Sequence, residues 1–177
     1  MPRKDLVRNR ERVVSAAVRL FVESGPEASM ETVARGAELG TTTLYRHFPT
    51  RDDLVEAVLD ELIRPVHSAA ELAEQIDDPH EAFRQLFTQS CAMPDQDVTV
   101  FARLATTSPR VERYANMLVV EVVRQATERL RAAGGLRPGL TAEHIAMFVR
   151  MAERTESSEQ RAIATEVLLA GITRAGG

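Results

Sequence analysis

Val33-Ala34-Arg35-Gly36-Ala37-Glu38-Leu39-Gly40-Thr41-Thr42-Thr43-Leu44-Tyr45-Arg46-His47-Phe48-Pro49-Thr50-Arg51-Asp52-Asp53-Leu54 is the stretch that decides the fold of this chain. Its spacing predicts two short helices, Met30–Ala37 and Thr41–Phe48, joined by a three-residue break at Glu38-Leu39-Gly40. Val33, Ala34 and Ala37 fall on the inner face of the first helix, and Leu39 plugs the turn. Leu44 and Phe48, four apart, form the inner face of the second. Thr41, Thr42, Thr43, Arg46 and His47 then remain on its outer face, with Tyr45 at the flank. Three consecutive β-branched threonines are poor helix material, so they ask for a reason beyond propensity. Their hydroxyls can bond phosphates or base edges, and their methyls can meet thymine methyls.

Outward from this motif the periodicity is helical almost throughout, with no convincing strand alternation. Upstream, a helix from about Asn9 to Ser24 carries Val13, Ala17, Leu20 and Phe21 inward and stops at Gly25-Pro26. Ser29 is the expected N-cap of the next helix. Downstream, Thr50 caps a helix whose first turn holds Asp52 and Asp53, the charge sign that suits a helix N-terminus, and Pro65 is expected to kink or end it. Further helices are expected over about 80–92, 98–105, 109–133, 141–153 and 158–174, punctuated by Pro79, Pro94, Pro109, Gly134-Gly135 and Pro138-Gly139.

The 177 residues, 44% hydrophobic and 27% charged, suffice for a small head and a larger body with its own core. One cysteine, Cys91, leaves no intrachain disulfide and no multi-cysteine zinc site, and reads first as a small buried hydrophobe. His67, His80 and His144 are dispersed without metal-like spacing and read as surface or capping groups, so neither metal nor cofactor is expected. No apolar run approaches the roughly 18 residues of a spanning helix, and a cytoplasmic protein with no membrane partner is expected. Residues 1–51 hold nine Lys/Arg against six Asp/Glu, and the remainder 13 against 20, although the whole chain carries −4. A basic head on an acidic body suits a protein whose head meets phosphate. No nucleophile elbow, phosphate-binding glycine loop or Cys/His constellation is present to suggest an enzyme.

The run Val33 to Leu54, and Thr43 to Arg51 within it, resembles the DNA-binding signature of the TetR family of regulators, in which a Thr-Leu-Tyr-x-x-Phe core is followed by a short polar turn, a basic residue, two acids and a leucine. The resemblance covers about residues 9 to 60, with the motif proper at 29–48. It implies an all-α protein with a three-helix head at 1–54 and a helical regulatory and dimerisation domain at 55–177. It implies further that Thr43, Tyr45, His47 and Arg51 approach the DNA backbone while Thr41, Thr42 and Arg46 lie nearest the bases of a palindromic operator. Tyr45 as a half-buried packing residue and Arg51 as a plain exposed charge are the alternatives. Two departures stand out: Glu38 where the family usually has Gly, at a turn position that often takes positive φ, and Gly40 where it usually has Ser or Thr as cap.

For the body the resemblance is one of architecture. It implies a homodimer through the last two helices, with stripes at Ile145, Phe148, Val149 and Ala152 and at Ile163, Val167, Leu168, Ala170 and Gly171. It also implies a small-molecule effector site among Phe83, Phe87, Cys91, Met93, Phe101, Leu104, Tyr114, Met117 and Leu118, coupled to repression. Periodicity alone leaves both the stripes and the Met/Phe cluster open to being plain core. Activation rather than repression is equally compatible with the head.

Overall fold

The computed structural model describes residues 3–174, with the side chains of 5–174, so the Arg3 and Lys4 charges counted in the head lie outside the described side chains. Among the described residues the chain forms nine helices and no strand: α1 Arg3–Ser24, α2 Met30–Gly36, α3 Thr41–His47, α4 Arg51–Glu74, α5 Pro79–Ser90, α6 Asp95–Leu104, α7 Pro109–Ala132, α8 Ala142–Ala152 and α9 Ser158–Ile172. None of them is long and apolar enough to cross a membrane. Two compact units result, one of Met1–Leu62 with Gln96–Ala115, the other of Ile63–Asp95 with Asn116–Gly177.

Three helix limits differ from the sequence expectation by three residues or more, α6 beginning at Asp95 and not at about Val98. α1 begins well before Asn9, because Asp5, Leu6, Val7 and Arg8 are helical yet exposed and so leave no periodic trace. α4 runs straight through Pro65. The proline is exposed, so the Glu61 carbonyl it cannot bond lies on the same solvent-side face, while Leu62, Ile63 and Val66 on other faces are buried. Burial of those side chains outweighs the roughly 3 kcal/mol a proline costs inside a helix.

In the first unit α1, α2 and α3 pack on one another and bury Val13, Ala17, Phe21, Val33, Leu44 and Phe48. Leu54 and Val58 from α4 and Phe101, Leu104 and Val111 from α6 and α7 are also buried. Polar ties fasten the first turns of α7 to α4. Ser108 Oγ donates to Asp52 Oδ2 at 2.7 Å, and Tyr114 Oη donates to Asp60 at 2.7 Å. The Arg110 guanidinium forks onto Glu56 at 2.8 Å and reaches Asp53 at 2.7 Å.

The second unit packs α9 against α5 and α8 around Phe83, Phe87, Leu130, Ile145, Val149 and Ile172. Arg129 closes the C-terminal end of α4, donating to the carbonyls of Ala73 at 3.0 Å, Glu74 at 3.3 Å, and also Ile76 and Asp77. α7 ends at Gly134, φ 74°, where Gly135 N–H bonds Leu130 O and Gly134 N–H bonds Arg131 O, a Schellman ending. His144 is a capping group, its Nδ1 accepting the Thr141 N–H at 3.1 Å.

Candidate nucleic-acid interface

The geometry of the helix-turn-helix follows from its caps. Ser29 Oγ accepts the Thr32 N–H at 3.2 Å and starts α2, which turns Met30, Val33 and Ala34 inward. α2 ends with the same Schellman pattern as α7: Leu39 N–H bonds Ala34 O at 2.9 Å and Glu38 N–H bonds Arg35 O at 3.0 Å. The residue placed left-handed by this ending is Glu38, φ 54°, the one non-glycine at positive φ among the described residues. The chain therefore carries a cost of about 1 kcal/mol there. The Glu38 carboxylate meets Arg12 Nη2 of α1 at 2.9 Å, but at 85% exposure this pair returns little of it.

α3 opens on Gly40, φ −70° and ψ 147°, whose carbonyl accepts the Thr43 and Leu44 N–H groups while no side chain caps the helix. Leu44 and Phe48 are fully buried and fix the rotation of α3. Thr41, Thr42, Tyr45 and Arg46 are exposed, whereas Thr43 and His47 are half-buried. His47 turns its Nε2 inward, where it has no hydrogen-bond partner. The Tyr45 phenol lies within reach of Glu31, whose carboxyl is held below its usual range by its own backbone N–H first, then by the Ser29 hydroxyl, with a smaller part from Tyr45.

Arg51 occupies a place that sequence reasoning gives no hint of. Its guanidinium donates to Ala28 O at 2.7 Å and to Pro26 O, and sits 5.7 Å from the Phe21 ring centroid. Held so, it braces the α1–α2 loop against the start of α4 and is not a loose surface charge. Beside it Thr50 and Asp53 form a reciprocal cap. Thr50 N–H donates to Asp53 Oδ2 at 2.9 Å and Asp53 N–H to Thr50 Oγ1 at 3.2 Å. The Thr50 hydroxyl, then Arg110, holds the Asp53 carboxyl below its ordinary value.

Arg8, Arg12 and Arg19 belong to the basic head, but the sequence assigns them no individual contact. They recur along one side of α1 and line a surface cleft with Gly36, Ala37 and Glu38, at the α2 end of the motif. Arg12 is tied to Glu38, and Arg19 donates to Gly36 O at 3.3 Å. The signal was available as basic residues at helical spacing.

The nine expected pocket residues divide between the two units. Phe101, Leu104 and Tyr114 belong to the first unit, where Tyr114 is bound to Asp60. Phe83 and Phe87 stack with centroids 5.9 Å apart inside the second unit's core. Met117 is exposed, while Cys91 and Met93 line the cavity of that unit. The expected α8 stripe also shifts: Ile145, Val149 and Ala152 are buried within the unit, and the exposed apolar residues are Met147 and Met151. On α9, Ile163 and Val167 are exposed, 58% and 66%, together with Ala170 and Gly171.

Comparison with known proteins addresses this head directly. Residues 13–58 match the family described as bacterial regulatory proteins, tetR family. The HTH-type transcriptional regulator SAB2452 of Staphylococcus aureus (strain bovine RF122 / ET3-1) is 45% identical over 53 residues, 29% of this chain and 29% of that protein. The HTH-type transcriptional regulator SAUSA300_2515 of Staphylococcus aureus (strain USA300) is 43% identical over 58 residues, 32% of this chain and 31% of its own. The match thus spans less than a third of these relatives' length. Solved structures share the fold over nearly the whole chain. The TetR transcription regulatory protein from Mycobacterium vanbaalenii is 25% identical with a TM-score of 0.57, over 98% of this chain and 100% of that one. FadR, the fatty acid degradation regulator from Bacillus halodurans, is 15% identical with a TM-score of 0.69, over 92% and 98%. RolR in complex with resorcinol is 18% identical with a TM-score of 0.64, over 96% and 89%. Residues 13–58 thus carry the match to the tetR family of bacterial regulatory proteins, and the chain as a whole shares the fold of solved regulators of that kind.

Proposed function

We propose that this protein is a sequence-specific DNA-binding transcriptional repressor, acting as a homodimer and released from its operator by a small molecule. The observation that carries the reading is the orientation of α3: Leu44 and Phe48 anchor it, and Thr41, Thr42, Tyr45 and Arg46 project from its exposed side. Thr41, Thr42 and Arg46 are assigned to base edges, Thr43 and Tyr45 to the backbone, and His47 to the margin of the contact. Arg51 is assigned to holding the head in shape. Arg8, Arg12 and Arg19 add phosphate contacts along α1.

The exposed Met147, Met151, Ile163 and Val167 on α8 and α9 support dimerisation through these helices, because water-facing apolar side chains of that size gain most by meeting a second copy. Two heads in such a dimer read half-sites about one helical turn of DNA apart. The resorcinol bound by RolR, which shares this fold, supports a small-molecule effector. Selection from a random pool of DNA duplexes tests the proposal. An enriched inverted repeat is expected, and a selection that converges on no sequence contradicts it.

A further inference from the structure

The second unit contains a cavity of about 680 Å³ walled by α5, the segment after it and α9, a size suited to a small organic ligand. Part of its wall is apolar, including Ala92, Met93, Pro94 and Leu169. Cys91 belongs to that part, since burial pushes its thiol up to about 11 and keeps it neutral.

The charges around it are arranged unequally. Arg84 is more than half exposed and engaged by Glu81, and Glu166 is exposed. Arg161 is different: its side chain is only 7% exposed, yet its ion-pair partner Asp95, at 2.5 Å from Nη2, is 64% exposed. Arg161 Nη1 donates to Met93 O at 2.9 Å, and its Nε is buried without a partner. A guanidinium taken out of water needs compensation by a charge in the same environment, and a partner that stays mostly in solvent supplies little of it. Arg161 also acts on the Glu153 carboxyl, which burial raises to about 7 and which does not line the cavity. The innermost charge facing the cavity is therefore a cation beside an apolar wall, and its direct ion-pair partner stays largely in solvent.

We infer that this cavity binds a small monocarboxylate with an apolar body, whose carboxylate pairs with Arg161 by displacing the Asp95 side chain toward solvent. The apolar body covers the wall formed by Met93, Pro94 and Leu169, and Asp95 serves in the empty protein as an internal stand-in for the ligand's charge. A carboxylate carried into the cavity by such a body meets Arg161 in a drier setting than Asp95 does, so the exchange favours the ligand. The inference rests on the reading of the helical body as the sensing part of the protein.

Calorimetric titration of the full chain, without DNA, with 4-phenylbutyrate and separately with 4-phenylbutanol tests it. The acid is expected to bind at least about ten-fold more tightly than the alcohol. Asp95→Asn, which weakens the internal competitor on an exposed side chain, is expected to tighten the acid about five-fold and leave the alcohol unchanged. Arg161→Gln is expected to erase the preference. Should that variant melt early, the acid-to-alcohol ratio and the Asp95→Asn shift decide the matter by themselves. Equal binding of acid and alcohol, no binding of either, or an Asp95→Asn protein that binds the acid no better overturns the inference. Because no DNA is present, such a failure leaves the DNA selection result standing, and a failed selection leaves this titration interpretable.

Discussion

At Glu38, φ 54°, a side chain occupies a backbone conformation that usually belongs to glycine, and the same helix ending at Gly134 is made with glycine at φ 74°. Glu38→Gly is expected to stabilise the protein by about 0.5 kcal/mol, the relief of the left-handed strain exceeding the lost Arg12 pair and the added freedom of the unfolded chain. At Gly40 the situation is reversed, because φ is ordinary and a Cβ would meet nothing within 4 Å. Gly40→Ser supplies the missing cap of α3 and is expected to add about 0.5 kcal/mol. Each change should raise the melting midpoint by about 2 °C in a thermal scan; a drop in either variant contradicts the assignment of strain at Glu38 or of the absent cap at Gly40. Arg51 marks where sequence reading stops at this scale. Its type and position are legible, but the carbonyls of Pro26 and Ala28 that it binds are brought to it only by the folded loop.

Helices were legible where a local stop or cap sits beside a periodic apolar face, as at Gly25-Pro26, Ser29 and Pro109. They were not legible where tertiary burial overrides a local signal, as at Pro65, or where a helix has no buried face, as at residues 5–8. The Met/Phe cluster divides between the two units, because spacing places residues on a helix face without saying what that face meets. The α8–α9 region also holds a titration that spacing does not announce. Burial raises the Glu153 carboxyl to about 7, with Arg161 and Arg150 pulling it the other way. Its folded value lies above its ordinary 4.5, so the folded state keeps a proton that the unfolded state has already released. The associated stability is fully present below about pH 4.5 and is lost as the pH rises to about 7. Chemical denaturation should show a loss on the order of 2 kcal/mol over this window, and Glu153→Gln should flatten it. An unchanged slope in that variant assigns the titration elsewhere.

For the whole molecule, the head carries the family signature and the body carries only the shared fold, so dimerisation and sensing must be tested on this chain itself. Ile163 and Val167 are exposed on α9, so Ile163→Glu with Val167→Glu is expected to leave the melting midpoint of the isolated chain little changed while converting a dimer to a monomer in light scattering. A dimer surviving both charges contradicts the α8–α9 interface. The central claim, that α3 reads DNA, is tested most directly by measuring the affinity of Thr42→Ala, Arg46→Ala and the double variant for the selected operator in a salt series. A loss of at least about ten-fold for the double variant, with unchanged circular dichroism, is predicted. Full retention of operator affinity by the double variant would contradict it.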